Sequence, residues 1–165
     1  MLMRDAREKD ASAIAEIYAH YVETSTFTFE ETAPAAEEMA ARIRKITEAG
    51  LPYLVAENEG RVTGYTYASP FHGRSAYRFT VENSVYVASR VTRAGTGTLL
   101  MRRLIADCAK RGCRQMIARI GDQENIASIR LHEKLGFRRI GELRGVGFKF
   151  GRWVDVVEMQ LALGA

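Results

Sequence analysis

The sequence lacks the features that would mark a secreted, membrane-bound or metal-organised protein. It holds only two cysteines in 165 residues, Cys108 and Cys113, and their spacing suits neither a metal knuckle nor a disulfide framework. No apolar run reaches the length of a membrane span, and the start MLMRDAREKD is too charged for a secretory signal. No repeat or Pro/Gly/Ser-rich linker divides the chain. These absences predict one cytoplasmic domain over residues 1–165, with reduced thiols and without a metal or a membrane partner.

Acidic residues become scarce in the second part of the chain. Residues 1–60 carry 6 Lys and Arg against 12 Asp and Glu, whereas residues 61–165 carry 18 against 8. Such a balance is most often solvated surface charge, but it also suits a phosphorylated ligand or nucleic acid. FKFGRW (148–153) is the only segment that closely interleaves basic and aromatic residues, and no zinc spacing or RNP-like run occurs. We therefore expect no nucleic-acid partner, with an RNA-binding module kept as an alternative.

Hydrophobic periodicity predicts the element order β-α-α-β-β-β-α-β-α-β-β, an α/β domain around one mixed sheet. Asp10 is predicted to cap the first helix, and Pro34 is predicted in the first turn of a second helix that Gly50 ends. Residues 58–60 predict a tight turn between two strands. The stretch 77–87 predicts one long strand whose odd positions are mostly apolar. The later helix has one apolar stripe, formed by Leu100, Met101, Leu104, Ile105 and Cys108.

A glycine-bearing loop precedes that helix in SRVTRAGTGTLLMRRL (89–104). Gly95 and Gly97 stand without a nearby acid where the helix begins, so the loop predicts either a tight turn or a seat for an anion. A P-loop needs Lys and Ser/Thr after its last glycine, but Thr98 and Leu99 follow here. A dinucleotide fingerprint needs a third glycine where Leu100 stands, and the acid expected about twenty residues on is matched only by Asp122, which lies slightly too far along the chain. Both of these alternatives are weak.

The loop resembles the pyrophosphate loop of the GCN5-related N-acetyltransferases (GNAT), Gln/Arg-x-x-Gly-x-Gly/Ala, with Thr92 in the usual Gln/Arg position. Downstream, NIASIRLHEKLGF resembles the family's later motif, and His132 stands where many members have Tyr. The residues that match this later motif are Asn125, Ser128, Leu131, Gly136 and Phe137. The segments TVENSVYV, FKFGRW, TFTFEETAP and ASPFHGRSAYRF are similar to the phosphinothricin and methionine sulfoximine acetyltransferase branch. The resemblance covers nearly the whole chain.

The resemblance implies a GNAT fold, a largely antiparallel mixed sheet that is flanked by helices and splays after Val87 to admit acetyl-CoA, the acetyl donor. It implies that the loop binds the pyrophosphate and that a strand edge, with the later helix, holds the pantetheine. The implied loop residues are Arg93, Ala94, Gly95, Thr96, Gly97 and Thr98. The implied pantetheine residues are Val85, Tyr86, Val87, Asn125 and Ser128. The family is commonly dimeric, so a homodimer is expected.

Two residues take catalytic roles in the resemblance. Glu82 is the implied general base, since only a neutral amine attacks a thioester and an α-amine is largely protonated at pH 7. Its alternative is a solvated strand glutamate or a partner for Arg78. His132 is the implied acid for the departing thiolate, and its alternative is an ordinary surface or core histidine. Neither cysteine has a histidine-paired context, which argues against a covalent route.

The resemblance also implies an acceptor side for a small amino acid that bears a phosphinate, sulfone or sulfoximine. Its implied residues are Phe29, Ser69, Phe71, Arg74, Arg78, Asn83 and Lys149. The two arginines suit such an acceptor better than a polyamine, although both also suit a solvated surface. Lys149 is otherwise a surface residue, and Trp153 is either a core residue or part of a subunit interface. A protein N-terminus remains an alternative acceptor.

Overall fold

The computed structural model describes residues 1–91 and 95–164, and these form seven strands and four α-helices in the predicted order. The strands are β1 (Leu2–Asp5), β2 (Tyr53–Asn58), β3 (Arg61–Pro70), β4 (Thr80–Val87), β5 (Gln115–Gly121), β6 (Arg138–Lys149) and β7 (Arg152–Ala162). The helices are α1 (Ala11–Thr24), α2 (Ala36–Glu48), α3 (Thr96–Lys110) and α4 (Ile126–Lys134).

All seven strands belong to one sheet with the order β1-β2-β3-β4-β5-β7-β6. Only β4 and β5 pair in parallel, and the other neighbours are antiparallel, so the predicted mixed and largely antiparallel sheet is confirmed. The apolar face of α3 packs on one side of the sheet and buries Leu100, Met101 and Leu104 completely. Helices α1 and α2 cover the other side. The sheet therefore carries a separate hydrophobic core on each face.

Three local predictions have different outcomes. Asp10 precedes α1, but its carboxylate does not cap the helix, because it accepts from the Arg4 guanidinium at 2.7 and 2.9 Å and from the Arg7 N–H at 2.8 Å. This contact ties β1 to the start of α1. Pro34 lies two residues before α2 and not in its first turn. Gly50 ends α2 in the left-handed conformation, with φ of 74°, as predicted.

The predicted long strand is shorter at its beginning. β4 starts at Thr80, while Tyr77 lies in a 3₁₀ turn where its ring packs against those of Phe71 and His72. Phe79 is half exposed and carries the Arg78 guanidinium 4.5 Å from the centre of its ring. The apolar residues at these two positions therefore serve a local surface cluster instead of a buried strand face.

The parallel strands part earlier than predicted. β4 pairs with β5 only from Thr80 to Asn83, and beyond Asn83 it pairs only with β3. β5 continues along β7 as far as Gly121. The predicted splay is therefore present, but it begins after Asn83 and not after Val87, since β5 follows β7 at this point. No helix in the described ranges has the length and apolar character needed to cross a membrane.

Candidate active site

A cleft of about 510 Å³ opens where β4 and β5 part. Its walls come from the free edge of β4, the beginning of α3, the end of β5 and the inner face of α4. Nine residues predicted to hold the cofactor line it, namely Val85, Tyr86, Val87, Gly95, Thr96, Gly97, Thr98, Asn125 and Ser128. Arg93 and Ala94, the other two, lie outside the described residues.

The edge of β4 offers backbone groups to the cleft. The Ser84 carbonyl accepts from the Thr66 hydroxyl at 2.7 Å, and the Tyr86 carbonyl faces Gly64, so both point towards β3. Because backbone groups alternate along a strand, those of Val85 and Val87 point to the opposite side, where β5 has left. The Val87 carbonyl accepts from the Tyr21 hydroxyl at 2.6 Å. An extended amide-bearing arm can therefore pair with this edge as an additional strand would.

The beginning of α3 suits an anion. Gly95 precedes the helix in the left-handed conformation, with φ of 74°, which glycine adopts without strain because it has no Cβ. The first turn of α3 contains no acidic residue. The first N–H groups of a helix have no intrahelical acceptor and lie at the positive end of its dipole. These residues fit the diphosphate of a nucleotide cofactor.

His132, the predicted acid, is 2% exposed and held at both ring nitrogens. Its Nδ1 lies 2.8 Å from the Ser128 carbonyl, which only accepts, so Nδ1 carries the proton. Its Nε2 lies 2.9 Å from Asn83 Nδ2 and accepts from it. Burial lowers the pKa of His132 below its ordinary value, which favours the neutral ring. In this arrangement His132 presents no N–H to the cleft.

The side chains of Asn83 and Asn125 form hydrogen bonds with residues of α4 at the cleft. Asn83, predicted on the acceptor side, is buried on the same face of β4 as α4, and its Oδ1 has no partner among the described residues. Asn125 caps α4 by accepting from the Ser128 N–H at 3.3 Å. Both residues thus position α4 against the cofactor side of the sheet.

Glu82, the predicted base, lies on the opposite face of β4 and is half-buried. Its Oε2 is 3.4 Å from Arg119 Nη1, and Arg119 Nε is 3.3 Å from Glu158 Oε1. Burial raises the pKa of Glu82 above its ordinary value; the positive charge of Arg119 opposes this, and the negative charge of Glu158 adds to it. A carboxylate with a raised pKa takes up a proton more readily, as a general base requires.

Sequence reasoning missed Arg119 and Glu158. It offered Arg78 as the partner of Glu82, but Arg78 donates to the Ser75 carbonyl at 3.2 Å and is exposed. One signal was available, because Arg119 is the only charged residue in QMIARI, a segment that is apolar from Met116 to Ile120 apart from this arginine. A charge inside a buried strand pattern needs a partner, and here the partners come from strands on both sides.

The remaining acceptor-side predictions divide into two groups. Ser69 lies opposite Glu82 in the β3–β4 register, and the Phe71 ring centre is 5.0 Å from the Arg119 guanidinium, so both are beside the predicted base. Arg74 and Arg78 lie in the exposed segment 72–79 and do not line the cleft. Their place on the acceptor side stays a prediction.

Lys149 and Phe29 fasten the loop that follows α1. Lys149 is 2% exposed, and its Nζ donates to the Thr28 carbonyl at 2.9 Å, so the surface alternative is wrong. Burial lowers the pKa of this amine, while Glu31 and Glu30 oppose the shift. Phe29 is partly exposed and packs so tightly on Gly147 that no Cβ fits there. Both predicted acceptor residues thus hold the loop that borders the cleft through Phe27.

The two cysteines are buried, and burial disfavours the thiolate form. Cys108 and Cys113 are buried free thiols, and burial raises the pKa of Cys108 to about 12, so it stays protonated. Residues 1–91 and 95–164 contain no group of three or more His, Cys, Asp or Glu side chains that suits a metal ion.

The parted sheet, the glycine-led helix and the carboxylate beside the parting point agree with what the resemblance implies, an acyltransferase that uses a coenzyme A thioester. The family model described as the acetyltransferase (GNAT) domain matches residues 3–157. The chain therefore belongs to the GNAT acetyltransferases, and the resemblance inferred from its motifs is confirmed.

Three named relatives resemble the chain over nearly its whole length. Phosphinothricin N-acetyltransferase from Alcaligenes faecalis is 51% identical over 163 residues, which are 99% of this chain and 83% of the relative. L-Methionine sulfoximine/L-methionine sulfone acetyltransferase from Salmonella typhimurium is 38% identical, covering 99% and 95%. The crystal structure of a phosphinothricin acetyltransferase from Sinorhizobium meliloti in complex with acetyl-CoA is 45% identical, with a TM-score of 0.95, covering 99% of this chain and 88% of that one.

Proposed function

We propose that this acetyltransferase moves the acetyl group of acetyl-CoA to the α-amine of a small amino-acid-like acceptor such as phosphinothricin, methionine sulfoximine or methionine sulfone. The observation that carries the proposal is the half-buried Glu82 carboxylate on β4, directly before the free strand edge. The names of the relatives support this class of acceptor. The reaction takes place in the cytoplasm and confers resistance to antibiotics of this kind.

The donor side uses the groups that line the cleft. Backbone N–H groups at the start of α3, together with Gly95, hold the diphosphate. The outward backbone groups of Val85 and Val87 pair with the pantetheine amides, next to Asn125 and Ser128. When bound, the cofactor supplies the acetyl group as an activated thioester. The arrangement puts the donor on one side of β4 and Glu82 on the other side, near the same point of the strand.

The acceptor side carries a net negative charge that suits an ammonium group. Glu82 and Glu158 share a single cation, Arg119, so the three side chains together leave about one negative charge. Arg74 and Arg78 are exposed, so the support for an amino acid acceptor comes first from the relatives. Family membership likewise favours an enzyme over the RNA-binding alternative.

Glu82 takes a proton from the acceptor ammonium, directly or through water. The neutral amine then attacks the thioester carbonyl carbon directly, so no acyl-enzyme intermediate forms. In this proposal the Val85 N–H, which points away from β3, would polarise the thioester carbonyl. For His132 to act as the acid, Nε2 has to be protonated, and the Asn83 amide that now donates to Nε2 has to turn away so that this N–H can donate to the thiolate. A thiol with a pKa near 8.5 can leave as the thiolate with little help from an acid. The proton transfer to Glu82 is therefore expected to contribute more to the rate than protonation by His132.

A panel of acceptors tests the proposal. Release of free thiol from acetyl-CoA is measured with phosphinothricin, methionine sulfoximine, methionine sulfone, spermidine and a peptide with a free N-terminal alanine. We expect the three amino acid analogues to give the highest kcat/KM. Highest activity with the peptide or with spermidine would overturn the acceptor assignment while leaving the family assignment intact.

A thermal-shift measurement tests the donor side. Acetyl-CoA is expected to raise the melting temperature of the protein, since a ligand that binds only the folded state stabilises it. RNA is expected to have no such effect at physiological salt. Stabilisation by RNA, with the steep salt dependence of phosphate contacts, would instead support the binding module.

Gly97→Ala separates cofactor binding from stability. A Cβ at Gly97 would lie 3.4 Å from Leu131 and 3.6 Å from Val87, which is ordinary contact, and alanine is favoured over glycine in a helix. We expect an unchanged or slightly higher melting temperature, but a Kd for acetyl-CoA that is weaker by about tenfold, since the methyl group narrows the cleft. Calorimetry measures the Kd. Gly73→Ala, in the exposed segment, is the control, and equal affinity in both variants would argue against this binding mode.

The same enzyme is proposed to be a homodimer. Strands β6 and β7 and the turn between them expose several large apolar side chains, namely Leu143, Val146, Phe148, Phe150 and Trp153. Trp153 is 69% exposed, so its core alternative is wrong, and its ring packs 5.0 Å from that of Phe148. Apolar patches of this kind are typical of interaction surfaces.

Trp153→Glu is expected to convert the dimer into a monomer, because the substitution puts a charge into the centre of the apolar group. Analytical ultracentrifugation over a range of protein concentrations measures the change. Leu99→Glu, at an exposed apolar position on α3, is expected to leave the dimer intact. A wild-type protein that is monomeric at every concentration would contradict the dimer.

A further inference from the structure

We propose that Arg119 is a positioning residue for the reaction, which holds the Glu82 carboxylate towards the acceptor by sharing one guanidinium between Glu82 and Glu158. The inference rests on the proposed role of Glu82 as the general base. It assigns a function to two residues, Arg119 and Glu158, that no motif in the sequence singled out.

The sheet register brings the three side chains together. Arg119 lies directly opposite Glu158 in the antiparallel β5–β7 pair. Glu82 lies beside Ile117 in the parallel β4–β5 pair, two residues from Arg119 and therefore on the same face. Two different nitrogens of Arg119 make the contacts, Nη1 with Glu82 at 3.4 Å and Nε with Glu158 at 3.3 Å. The guanidinium thus bridges carboxylates from both neighbouring strands.

A third contact holds the guanidinium in place. The Arg119 Cζ lies 5.0 Å from the centre of the Phe71 ring, within the range of a cation–π interaction. Phe71 follows β3 directly, so three strands contribute to the position of Arg119. Arg119 also lines the cleft, which places this bridge at the boundary between the donor and acceptor sides.

The N–O distance between Arg119 and Glu82 affects how well Glu82 can act as a base. Strong Arg–carboxylate pairs have N–O distances of about 2.7–2.9 Å, and the Arg4–Asp10 pair of this protein shows 2.7 and 2.9 Å. Such a pair favours the charged carboxylate and weakens it as a base. The longer contact to Glu82 restrains the carboxylate but leaves it able to accept a proton.

The charged and titratable groups around Glu82 act in opposite directions. Burial raises the pKa of Glu82, Arg119 on β5 lowers it, and Glu158 on β7 raises it. Tyr67 on β3 is also near, and burial raises the pKa of its own hydroxyl, so it stays neutral. Removing the positive charge of Arg119 should therefore make Glu82 lose its proton at higher pH, and removing the negative charge of Glu158 should have the reverse effect.

Two variants with opposite expected effects test the inference. The dependence of kcat/KM on pH is measured for the wild type, Arg119→Gln and Glu158→Gln with the best acceptor from the panel. The acidic limb is expected to move to higher pH in Arg119→Gln, with a loss of about threefold or more on that limb, and to lower pH in Glu158→Gln. The KM for acetyl-CoA is expected to stay unchanged. Arg119→Lys keeps the positive charge but cannot contact both carboxylates with separate nitrogens of a guanidinium. The acidic limb of this variant is therefore expected at a pH between those of the wild type and Arg119→Gln.

A second readout does not depend on catalysis. Titration of the Glu82 carboxyl carbon by NMR, with its resonance identified by its loss in Glu82→Gln, is expected to show the same two opposite shifts. Arg44→Gln is the control, since it removes an exposed pair with Glu8, both outside the cleft. Neither the pH profile nor the Glu82 titration should change in this variant.

The outcomes separate this inference from the proposed function. Wild-type turnover in Glu82→Gln would remove Glu82 from the role of base, and with it the basis of the inference. Loss of turnover in Glu82→Gln, together with profiles and titrations that do not move or that move in the same direction in Arg119→Gln and Glu158→Gln, would overturn the role of Arg119 alone.

Discussion

Glu82→Gln is expected to lower kcat by about two to four orders of magnitude, the usual contribution of a positioned general base. Glutamine has nearly the same shape as glutamate, and at residue 82 strand β4 is paired with β3 on one side and with β5 on the other. We therefore expect the substitution to preserve the strand. The amide cannot take a proton from the acceptor ammonium. Steady-state kinetics with saturating acetyl-CoA and calorimetry of acetyl-CoA binding measure the two effects separately.

The affinity for acetyl-CoA is expected to be nearly unchanged in Glu82→Gln, since Glu82 lies on the face of β4 opposite to Asn83 and α4. Raising the pH should partly restore the activity, because the fraction of neutral amine in solution rises. Glu142→Gln is a matched control, as it changes another partly buried carboxylate that contacts arginines, Arg139 and Arg144. A kcat equal to that of the wild type in Glu82→Gln would exclude this base.

Asp122→Asn is expected to lower the free energy of unfolding by about 2 kcal/mol, since one acceptor serves three donors in a buried position. The Asp122 carboxylate is buried and accepts from the Thr26 hydroxyl at 2.5 Å, from Arg152 at 2.5 Å and from the Glu124 N–H at 3.0 Å. Asparagine tolerates the left-handed φ of 70° found at this residue, so the loss reports the contacts and not backbone strain. Denaturant unfolding measures it.

The same substitution is expected to raise the KM for the acceptor. The loop that follows α1 passes directly over the end of β5, where a Cβ at Gly121 would come within 3.0 Å of the Thr26 and Phe27 carbonyls. Phe27 lines the cleft, so loosening the Thr26 contact displaces a wall of the site. Asp155→Ala is the control, because Asp155 accepts from the Gly145 N–H in an exposed position. An equal loss of stability in both variants would contradict the special role of Asp122.

The contribution of Asp122 also depends on pH. Burial alone would raise the pKa of Asp122, but the hydrogen bonds from Thr26, the Glu124 N–H and Arg152 outweigh it and hold the pKa below its ordinary value. A carboxylate with a lowered pKa in the folded state adds stability above its unfolded pKa, about 3.9, and loses this contribution as the pH falls through the folded value. The stability difference between the wild type and Asp122→Asn should therefore narrow below about pH 4.

The sequence by itself determined the order of the elements, the beginning of α3 and nine of the residues that line the cofactor cleft. The apolar stripe of α3 repeats every three to four residues, which predicts a helix from the local sequence. The left-handed backbone at residue 95 is likewise a local property, since it requires only that this residue is glycine. The motif around Asn125 likewise lies within one helix and its cap. Such features are local, so they can be read from neighbouring residues.

Only the tertiary structure decided the partners on the acceptor side. Arg119 contacts Glu82 across a separation of 37 residues, and Lys149 reaches the Thr28 carbonyl across 121. These contacts depend on the strand order, on the register of β5 between β4 and β7, and on the loop that crosses the end of β5. The exposure of Trp153 and the parting of the strands after Asn83 have the same origin. Periodicity shows which face of a strand is apolar, but which strands become neighbours is decided by the packing of the whole sheet.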